Sequence, residues 1–197
     1  TGLGEAGMFW DGQRHRPFAS EGGHTDFAPA NDEEVALLAY LRRTLGIEHI
    51  SWERVVSGPG LVAIYEFLRS SDAGASTKAL AEAMAEGDPA EEISKAAVRG
   101  DDSLAERAVQ WFLGLYGAEA GNVALKYLAT GGVYLGGGIA PKLVQLLPRS
   151  EFIERFQAKG RMRALLEPIG LQVVMNDKAA LQGAASYAAR RSRGEHG

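Results

Sequence analysis

Glycine is gathered into short clusters that divide this chain into well-patterned segments. The sequence has 25 glycines, and its clusters lie at residues 2–4, 22–23, 58–60, 131–132 and 136–138. Because glycine allows tight turns and close backbone approach, such clusters mark the junctions between secondary-structure elements. Low-complexity sequence would spread its glycine more evenly. The pattern therefore predicts a folded domain of short elements joined by sharp turns.

The segments between the clusters alternate between strand-like and helix-like patterns. Two short extended stretches flank Asp11 and Gly12, which predicts a β-hairpin. Short apolar runs predict buried strands at residues 131–136 and 171–175. Helical spacing of apolar residues, with a charged helical pair at 76–100, predicts helices at residues 33–45, 61–68, 76–100, 104–128, 152–166 and 178–193. Strands mixed with many helices predict the α/β class.

Composition excludes several classes of function. Apolar residues make up 46% of the chain and charged residues 23%, as in ordinary globular proteins. A formal net charge of −4 gives no general attraction for nucleic acid, and the basic cluster Arg190, Arg191 and Arg193 is read as a solvated helix end. No apolar run approaches the ~20 residues of a membrane-spanning helix. The absence of cysteine excludes disulfides, thiolate nucleophiles and cysteine zinc sites, and it fits a cytoplasmic location.

Two glycine turns are candidates for binding phosphate or nucleotide. At the start of the chain, the small residues Thr1, Gly2 and Gly4 would let backbone N–H groups and a hydroxyl approach a phosphate, although most short turns of this kind are ordinary turns. Gly136, Gly137 and Gly138 stand between a predicted strand and a predicted helix. This placement puts free N–H donors and the positive end of a helix dipole beside a bound nucleotide. The spacing matches neither the dinucleotide fingerprint nor a Walker A loop.

A carboxylate and an imidazole flank two glycines at Glu21 and His24. The glycines let the backbone fold tightly, so that both side chains can face one small volume. Carboxylate oxygens accept from sugar hydroxyls, and imidazole can donate or accept, so the pattern suits a bound polyol. A polar surface loop fits the same residues. The four histidines of the chain show no metal-ligand spacing, which argues against zinc.

Taken together, these motifs resemble the bacterial glucokinase family of the actin-like ATPase superfamily. The resemblance covers nearly the whole chain, and its motifs occur in the family's order. They are Thr-Gly-Leu-Gly at residues 1–4, Glu-Gly-Gly-His-Thr-Asp-Phe-Ala-Pro at 21–29, Glu-Arg-Val-Val-Ser-Gly-Pro-Gly-Leu at 53–61 and Gly-Gly-Val-Tyr-Leu-Gly-Gly-Gly-Ile-Ala-Pro at 131–141. The stretches at 156–161 and 183–185 are also similar.

The resemblance implies roles for individual residues. Glu21, His24 and Glu53 match the family positions that hydrogen-bond glucose hydroxyls. Thr1, Gly2 and Gly4 match the second phosphate-binding turn, and Gly136 to Gly138 match the adenosine-binding turn. The implied reaction transfers the γ-phosphoryl group of ATP to the 6-hydroxyl of glucose, the first step of glycolysis, with Mg²⁺ on the phosphates and an Asp accepting the hydroxyl proton.

The resemblance also implies that part of the family pattern lies outside this chain. The family's phosphate motif reads Gly-Thr-Gly-Leu-Gly, so this chain begins one residue inside it, after the strand that feeds the turn. An N-terminal lobe carries an Asp-x-Gly-Gly-Thr phosphate loop and an Asn-Asp pair whose Asp is the base. We therefore expect no catalytic residue in this chain, and negligible phosphorylation of glucose by the chain alone.

The expected architecture is the large lobe of the actin-like ATPase (ribonuclease H-like) fold, a mixed sheet with flanking helices that lacks its first strand. Residues 1–177 would form the sugar- and nucleotide-binding lobe, and the helix and tail at 178–197 would pack toward the N-terminal lobe. The helix with Trp111, Phe112 and Tyr116 could serve a homodimer contact, although core packing explains it as well. Two other functions stay open: a non-catalytic sugar-binding or regulatory module, and a structural domain with vestigial motifs.

Overall fold

The computed structural model describes residues 2–71 and 76–193. Strands and α-helices are mixed along these residues, as the sequence predicts for the α/β class. The strands are β1 Glu5–Trp10, β2 His15–Ser20, β3 Val133–Leu135 and β4 Leu171–Val173. The helices are α1 Asp32–Leu45, α2 Gly58–Ser70, α3 Lys78–Glu86, α4 Pro89–Arg99, α5 Ser103–Tyr127, α6 Ile139–Leu143, α7 Phe152–Gln157, α8 Arg163–Leu166 and α9 Ala179–Ser192.

The predicted hairpin is present and is closed by its own turn chemistry. β1 pairs antiparallel with β2, with Glu5 opposite Ser20 at one end and Trp10 opposite His15 at the other. Asp11 Oδ1 accepts from the backbone N–H groups of Gln13 and Arg14, each at 2.8 Å, while Gly12 adopts φ +99°. A residue with a Cβ rarely adopts that φ, so glycine is the residue suited to this turn.

Helix α1 begins and ends where local sequence signals predict. Asn31 Oδ1 accepts from the backbone N–H of Glu34 at 2.9 Å, which satisfies a donor that has no partner within the helix. Gly46 ends the helix in the left-handed conformation, with φ +66°, and donates to Arg42 O at 3.0 Å. Glu34 is fully buried and accepts from Ala30 N and from Arg155 of α7, so the cap also ties α1 to a distant helix.

The expectation of one mixed sheet is wrong for the described residues. The four strands form two separate two-stranded sheets, the antiparallel pair β1–β2 and the parallel pair β3–β4. Among the described residues no strand pairs across the two sheets, and the hairpin meets the helices through side chains. The ring of Phe18 on β2, for example, meets the ring of Tyr127 on α5 edge-on at 5.1 Å between centroids. The assignment to an actin-like lobe therefore stays a prediction.

Helix α5 runs through the whole hydrophobic interior. Its first half packs with α1, α2 and α4 in the larger of two clusters of buried side chains, which includes Leu37, Ile64 and Phe112. Its second half contributes Ala120 and Ala124 to the smaller cluster, together with α7 and the β3–β4 pair. The 25 residues of α5 correspond to about 37 Å of helix, enough to join both clusters.

The helix expected at residues 152–166 is interrupted. It divides into α7, a single 3-10 turn at Gly160–Met162, and α8. Gly160 has φ +54°, a left-handed conformation that breaks the helical path between the two pieces. The break places the amine of Lys159 against α5, where Nζ donates to Ala118 O at 2.9 Å and to Asn122 Oδ1 at 2.7 Å.

The last helix lies on the surface. Residues 180–193 are all exposed, including Leu181 and Tyr187 of α9, and Arg190 and Arg191 lie in its last turn as the charge pattern predicts. The expectation that residues 178–197 pack toward another lobe stays a prediction, and residues 194–197 lie outside the described part. No helix among the described residues is long and apolar enough to cross a bilayer.

Candidate functional site

Two single-turn 3-10 helices carry the predicted sugar-binding side chains, and a short backbone ladder brings the turns together. Gly22–His24 follows β2, and Trp52–Arg54 precedes α2. Between them, Phe27 N donates to Ile50 O at 2.8 Å and Trp52 N donates to Thr25 O at 3.0 Å. The buried rings of Phe27 and Trp52 meet edge-on beneath this ladder, with centroids 5.1 Å apart. Packing and pairing thus fix the two turns side by side.

The imidazole of His24 lies between the two predicted carboxylates. Its Nδ1 is 3.3 Å from Glu53 Oε2, and its Nε2 is 3.7 Å from Glu21 Oε2. The side chain of Glu53 is 32% exposed, whereas those of His24 and Glu21 are 62% and 91% exposed. The three groups therefore form an open polar face whose free carboxylate oxygens and imidazole can meet the hydroxyls of a polyol.

The first glycine motif lies directly against this face. A Cβ on Gly2 would stand 2.1 Å from Glu53 Oε1, and a Cβ on Gly23 would stand 2.2 Å from Leu3 O. Residues 2–4 therefore pass between Glu53 and the Gly22–His24 turn at distances that only glycine permits at those positions. Gly4 has open space around it. Thr1 lies outside the described residues.

The second glycine turn joins β3 to α6. Gly137 adopts φ +91°, and a Cβ on Gly136, Gly137 or Gly138 would meet nothing within 4 Å. The turn is therefore open to an incoming group, as a nucleotide-binding turn needs to be. Its openness also means that the fold itself does not require glycine at 136 and 138.

Two hollows meet at the N-terminus of α2. The smaller, of about 200 Å³, is lined by Gly2, Glu53, Arg54, Ser57 and Pro59. The larger, of about 480 Å³, lies where the first turns of three helices come together. It is lined by Gly58, Pro59, Leu61 and Val62 of α2, by Asp88, Pro89, Ala90, Glu91 and Ser94 at α4, and by Gly138, Ile139 and Lys142 at α6. Pro59 borders both hollows, so a ligand in one lies next to a ligand in the other.

Several lining residues had no signal in the sequence. Lys142 Nζ lies 3.3 Å from Glu91 Oε2 across the larger hollow. Hydrogen bonds from Lys95 and then Lys142 lower the pKa of Glu91. The charged segment before α5 thus supplies one wall of the hollow. Ser57 and Pro59 could have been anticipated, because they follow Glu53 within the same motif.

Two Asn-Asp pairs do occur in the chain, at residues 31–32 and 176–177. Both asparagines have local roles, since Asn31 caps α1 while Asn176 accepts from Lys178 N at 3.0 Å and donates to Gln182 Oε1 at 2.9 Å. Neither pair lines either hollow. Among residues 2–71 and 76–193, no group of three or more acidic or histidine side chains is placed to hold a metal ion.

The aromatic residues considered for a dimer contact pack in the interior. Phe112 is completely buried, and Trp111 and Tyr116 lie against the larger cluster. Tyr116 also meets the ring of Phe152 on α7 edge-on, with centroids 5.5 Å apart. Core packing therefore accounts for Phe112, and a homodimer contact stays a prediction.

Comparison with known proteins gives one consistent family. The family model described as Glucokinase matches residues 1–191. A glucokinase from Nostoc sp. is 47% identical over 201 residues, covering 96% of this chain and 59% of that relative. The crystal structure of a glucokinase from an Antarctic psychrotroph matches with a TM-score of 0.78 at 33% identity, over 94% of this chain and 54% of that one. The glucokinase of Balamuthia mandrillaris in complex with glucose matches with a TM-score of 0.68 at 27% identity, over 87% of this chain and 46% of that one.

This chain therefore spans about half to three-fifths of the length of these relatives. The match runs through every motif on which the sequence resemblance rests, from the first glycine turn to the last helix. The chain belongs to the glucokinase family.

Proposed function

We propose that this chain is the glucose- and nucleotide-binding part of an ATP-dependent glucokinase, which transfers the γ-phosphoryl group of ATP to the 6-hydroxyl of glucose. The observation that carries the proposal is the position of His24 between Glu21 and Glu53, with the backbone of Gly2 in contact with Glu53. A sugar on this polar face would lie beside the turn that the family uses for phosphate, as phosphoryl transfer requires.

In this proposal Glu21, His24 and Glu53 bind glucose. The free oxygens of Glu53 and Glu21 accept from sugar hydroxyls, and the imidazole of His24, held by Glu53 at 3.3 Å, adds a further polar contact. Hydrogen bonds to charged groups contribute about 1.5–3 kcal/mol each. Three such groups acting on one hexose give both affinity and a fixed orientation of its 6-hydroxyl.

ATP would occupy the larger hollow, and its phosphates would point toward the smaller one. Gly138 and the first turns of α2 and α4 line the larger hollow, so the positive ends of helix dipoles would face the nucleotide. Gly136 and Gly137 complete the adenosine turn, while Thr1, Gly2 and Gly4 form the phosphate turn. Mg²⁺ would enter on the phosphates, since it is commonly bound through them with one or two carboxylates.

The proposal places the catalytic base outside these 197 residues, in the N-terminal lobe of the family. It therefore expects negligible turnover from this polypeptide alone and normal turnover when the lobe is supplied. It further assigns the protein to carbohydrate phosphorylation at the start of glycolysis, in the cytoplasm, and to a homodimer.

Calorimetric titration with glucose tests the binding role of His24 against a matched control. His49 is also an exposed histidine beside a carboxylate, with Nε2 3.2 Å from Asp26 Oδ1. His24→Ala is expected to weaken glucose binding by at least about tenfold, the effect of losing one hydrogen bond to a charged group. His49→Ala is expected to bind glucose normally. Equal affinity in the two variants would contradict the assignment of the sugar site.

Adding the N-terminal lobe of a family member in trans then separates the kinase from the alternative. Production of glucose 6-phosphate that disappears with Glu53→Gln supports the kinase. Glucose binding without any turnover supports the non-catalytic sugar-binding module. Absence of both glucose and ATP binding supports the structural domain.

A further inference from the structure

A buried carboxylate lies directly beneath the turn that carries the sugar-binding groups. Glu5 begins β1, opposite Ser20 on β2. A Cβ on Gly22 would stand 1.8 Å from Glu5 Oε2, so this carboxylate fills the space under the Gly22–His24 turn. Glu21 and His24 stand at the two ends of the same turn. The Glu5 carboxylate therefore lies against the turn that carries both.

A second buried carboxylate faces Glu5 from helix α5. Glu119 is 2% exposed, and its Oε2 accepts from Asn122 Nδ2 at 2.7 Å. Both oxygens of Glu5 and Oε1 of Glu119 are buried without a hydrogen-bond donor from the described residues. Lys126 Nζ lies 3.6 Å from Glu119 Oε1, an ion-pair distance that is too long for a hydrogen bond.

Two ionised carboxylates in this arrangement could only accept hydrogen bonds. One shared proton turns the pair into a donor and an acceptor, which satisfies oxygens that otherwise have no partner. Burial raises the pKa of Glu119 to about 7, and the hydrogen bond with Glu5 raises it as well, whereas Asn122 and Lys126 lower it. Protonation of Glu119 near neutral pH therefore supplies the proton that the pair can share.

The charged groups around the pair limit it to a single proton. Lys126 faces Glu119 from α5 itself, and Lys159 faces it from the segment after α7. Arg155 of α7 and Glu34 of α1 complete the charges around Lys159. The two amines favour one negative charge on the pair, while burial disfavours two.

We propose that Glu5 and Glu119 are positioning residues that share one proton beneath the Gly22–His24 turn, and that loss of this proton weakens sugar binding. The inference rests on the proposed function, because it requires that the turn binds glucose. Without the proton, two adjacent negative charges repel. Glu119 is held within a helix, so the carboxylate of Glu5 moves, and with it the turn that it supports.

The experiment uses the full-length protein that contains this chain and three glutamine variants. Glu119→Gln replaces the protonated acid with a neutral group of the same shape, which can still donate to Glu5 at any pH. Glu5→Gln does the same from the other side and keeps the test available if the helix variant fails to fold. Glu106→Gln, an exposed position on the same helix, is the matched control.

Two measurements are made on each protein. Carbon NMR of labelled glutamate carboxyls reports the shared proton without any sugar, and calorimetry gives the Kd for glucose between about pH 6 and pH 8, one unit on either side of the pKa of Glu119. In the unmodified protein we expect a carboxyl that titrates near neutral pH and a Kd that rises about fivefold over this range. A one-unit difference in pKa between free and sugar-bound protein changes the Kd about tenfold over the complete titration, and about half of that factor falls between pH 6 and pH 8.

Glu119→Gln is expected to abolish the neutral titration and Glu5→Gln to shift it to lower pH, and each is expected to remove most of the rise in Kd, leaving only the part due to other titrating groups. Glu106→Gln is expected to retain both. The inference is overturned if no carboxyl titrates near neutral pH, or if Glu119→Gln and Glu5→Gln keep the full pH dependence. If the unmodified protein binds no glucose at any pH, the proposed function has failed, and the carboxyl titration then shows separately whether the shared proton exists.

Discussion

Helices α5 and α7 touch through their backbones. This contact predicts that replacing glycine with alanine changes the free energy of unfolding in opposite directions at Gly114 and Gly117. A Cβ on Gly117 would stand 2.1 Å from Phe152 O and 2.8 Å from Phe152 C, both backbone atoms of α7. One turn earlier on the same helix, a Cβ on Gly114 would meet its nearest neighbours, on Glu151 and Arg155, at 3.5–3.6 Å, which is ordinary contact. Both glycines are buried in the interior of α5.

The expected free energies follow from two opposing terms. Replacing glycine with alanine inside a helix favours folding by about 0.5–1 kcal/mol, because less backbone freedom is lost. At Gly114 nothing opposes this gain, so Gly114→Ala is expected to raise the free energy of unfolding by about that amount. At Gly117 the added methyl must push α7 away by roughly an ångström. Overpacking of this kind costs about 1–3 kcal/mol, so Gly117→Ala is expected to lower the free energy of unfolding by about 1–2 kcal/mol.

Urea denaturation followed by circular dichroism measures both variants under one set of conditions. The two free energies of unfolding are expected to differ by about 2 kcal/mol, with the unmodified protein between them. Equal slopes against urea would show that the unfolded ensembles are comparable. Two variants that shift in the same direction, or that agree within about 0.5 kcal/mol, would refute the close approach of α7 to α5 at Gly117.

Three further outcomes are expected. Glu34→Ala removes a fully buried carboxylate from its ion pair with the partly buried Arg155 and is expected to lower the free energy of unfolding by about 3–5 kcal/mol, measured by denaturation. Because the folded-state pKa of Glu119 is raised from 4.5 to about 7, the folded protein holds the extra proton in that window, so this group's contribution to stability falls as pH rises through it. Glu119→Gln is expected to flatten that part of a plot of Tm against pH. Gly2→Ala is expected to displace the Glu53 carboxylate and weaken glucose binding in calorimetry, whereas Gly4→Ala, in open space, is expected to leave the affinity unchanged.

The parts of the fold set by local chemistry could be predicted from the sequence. Asn31 and Gly46 mark the ends of α1 because a cap needs only its own turn of helix. The two glycines between Glu21 and His24 predicted that these side chains face one volume, and the motif resemblance added Glu53 to them. The structure then supplies the physical cause, a backbone ladder between two turns.

Contacts between distant residues could not be predicted in the same way. Gly117 reads in the sequence as a residue that weakens a helix, and only the position of α7 shows that a larger residue would not fit. Glu5 lies on β1 and Glu119 on α5, with β2 and helices α1 to α4 between them in the chain. Nothing in the sequence around either residue signals a partner. The division into two small sheets was missed because the pattern of a strand does not reveal which neighbour it pairs with.

The continuity of α5 has a consequence for how proteins of this shape can change in length. One continuous helix fixes the distance between the cluster of α1, α2 and α4 and the cluster of α7 and the β3–β4 pair. One residue inserted within it would rotate everything beyond by about 100° and turn Gly121 away from α7. Insertions and deletions are therefore expected in the connections on either side of α5, where they leave the distance between the two clusters unchanged.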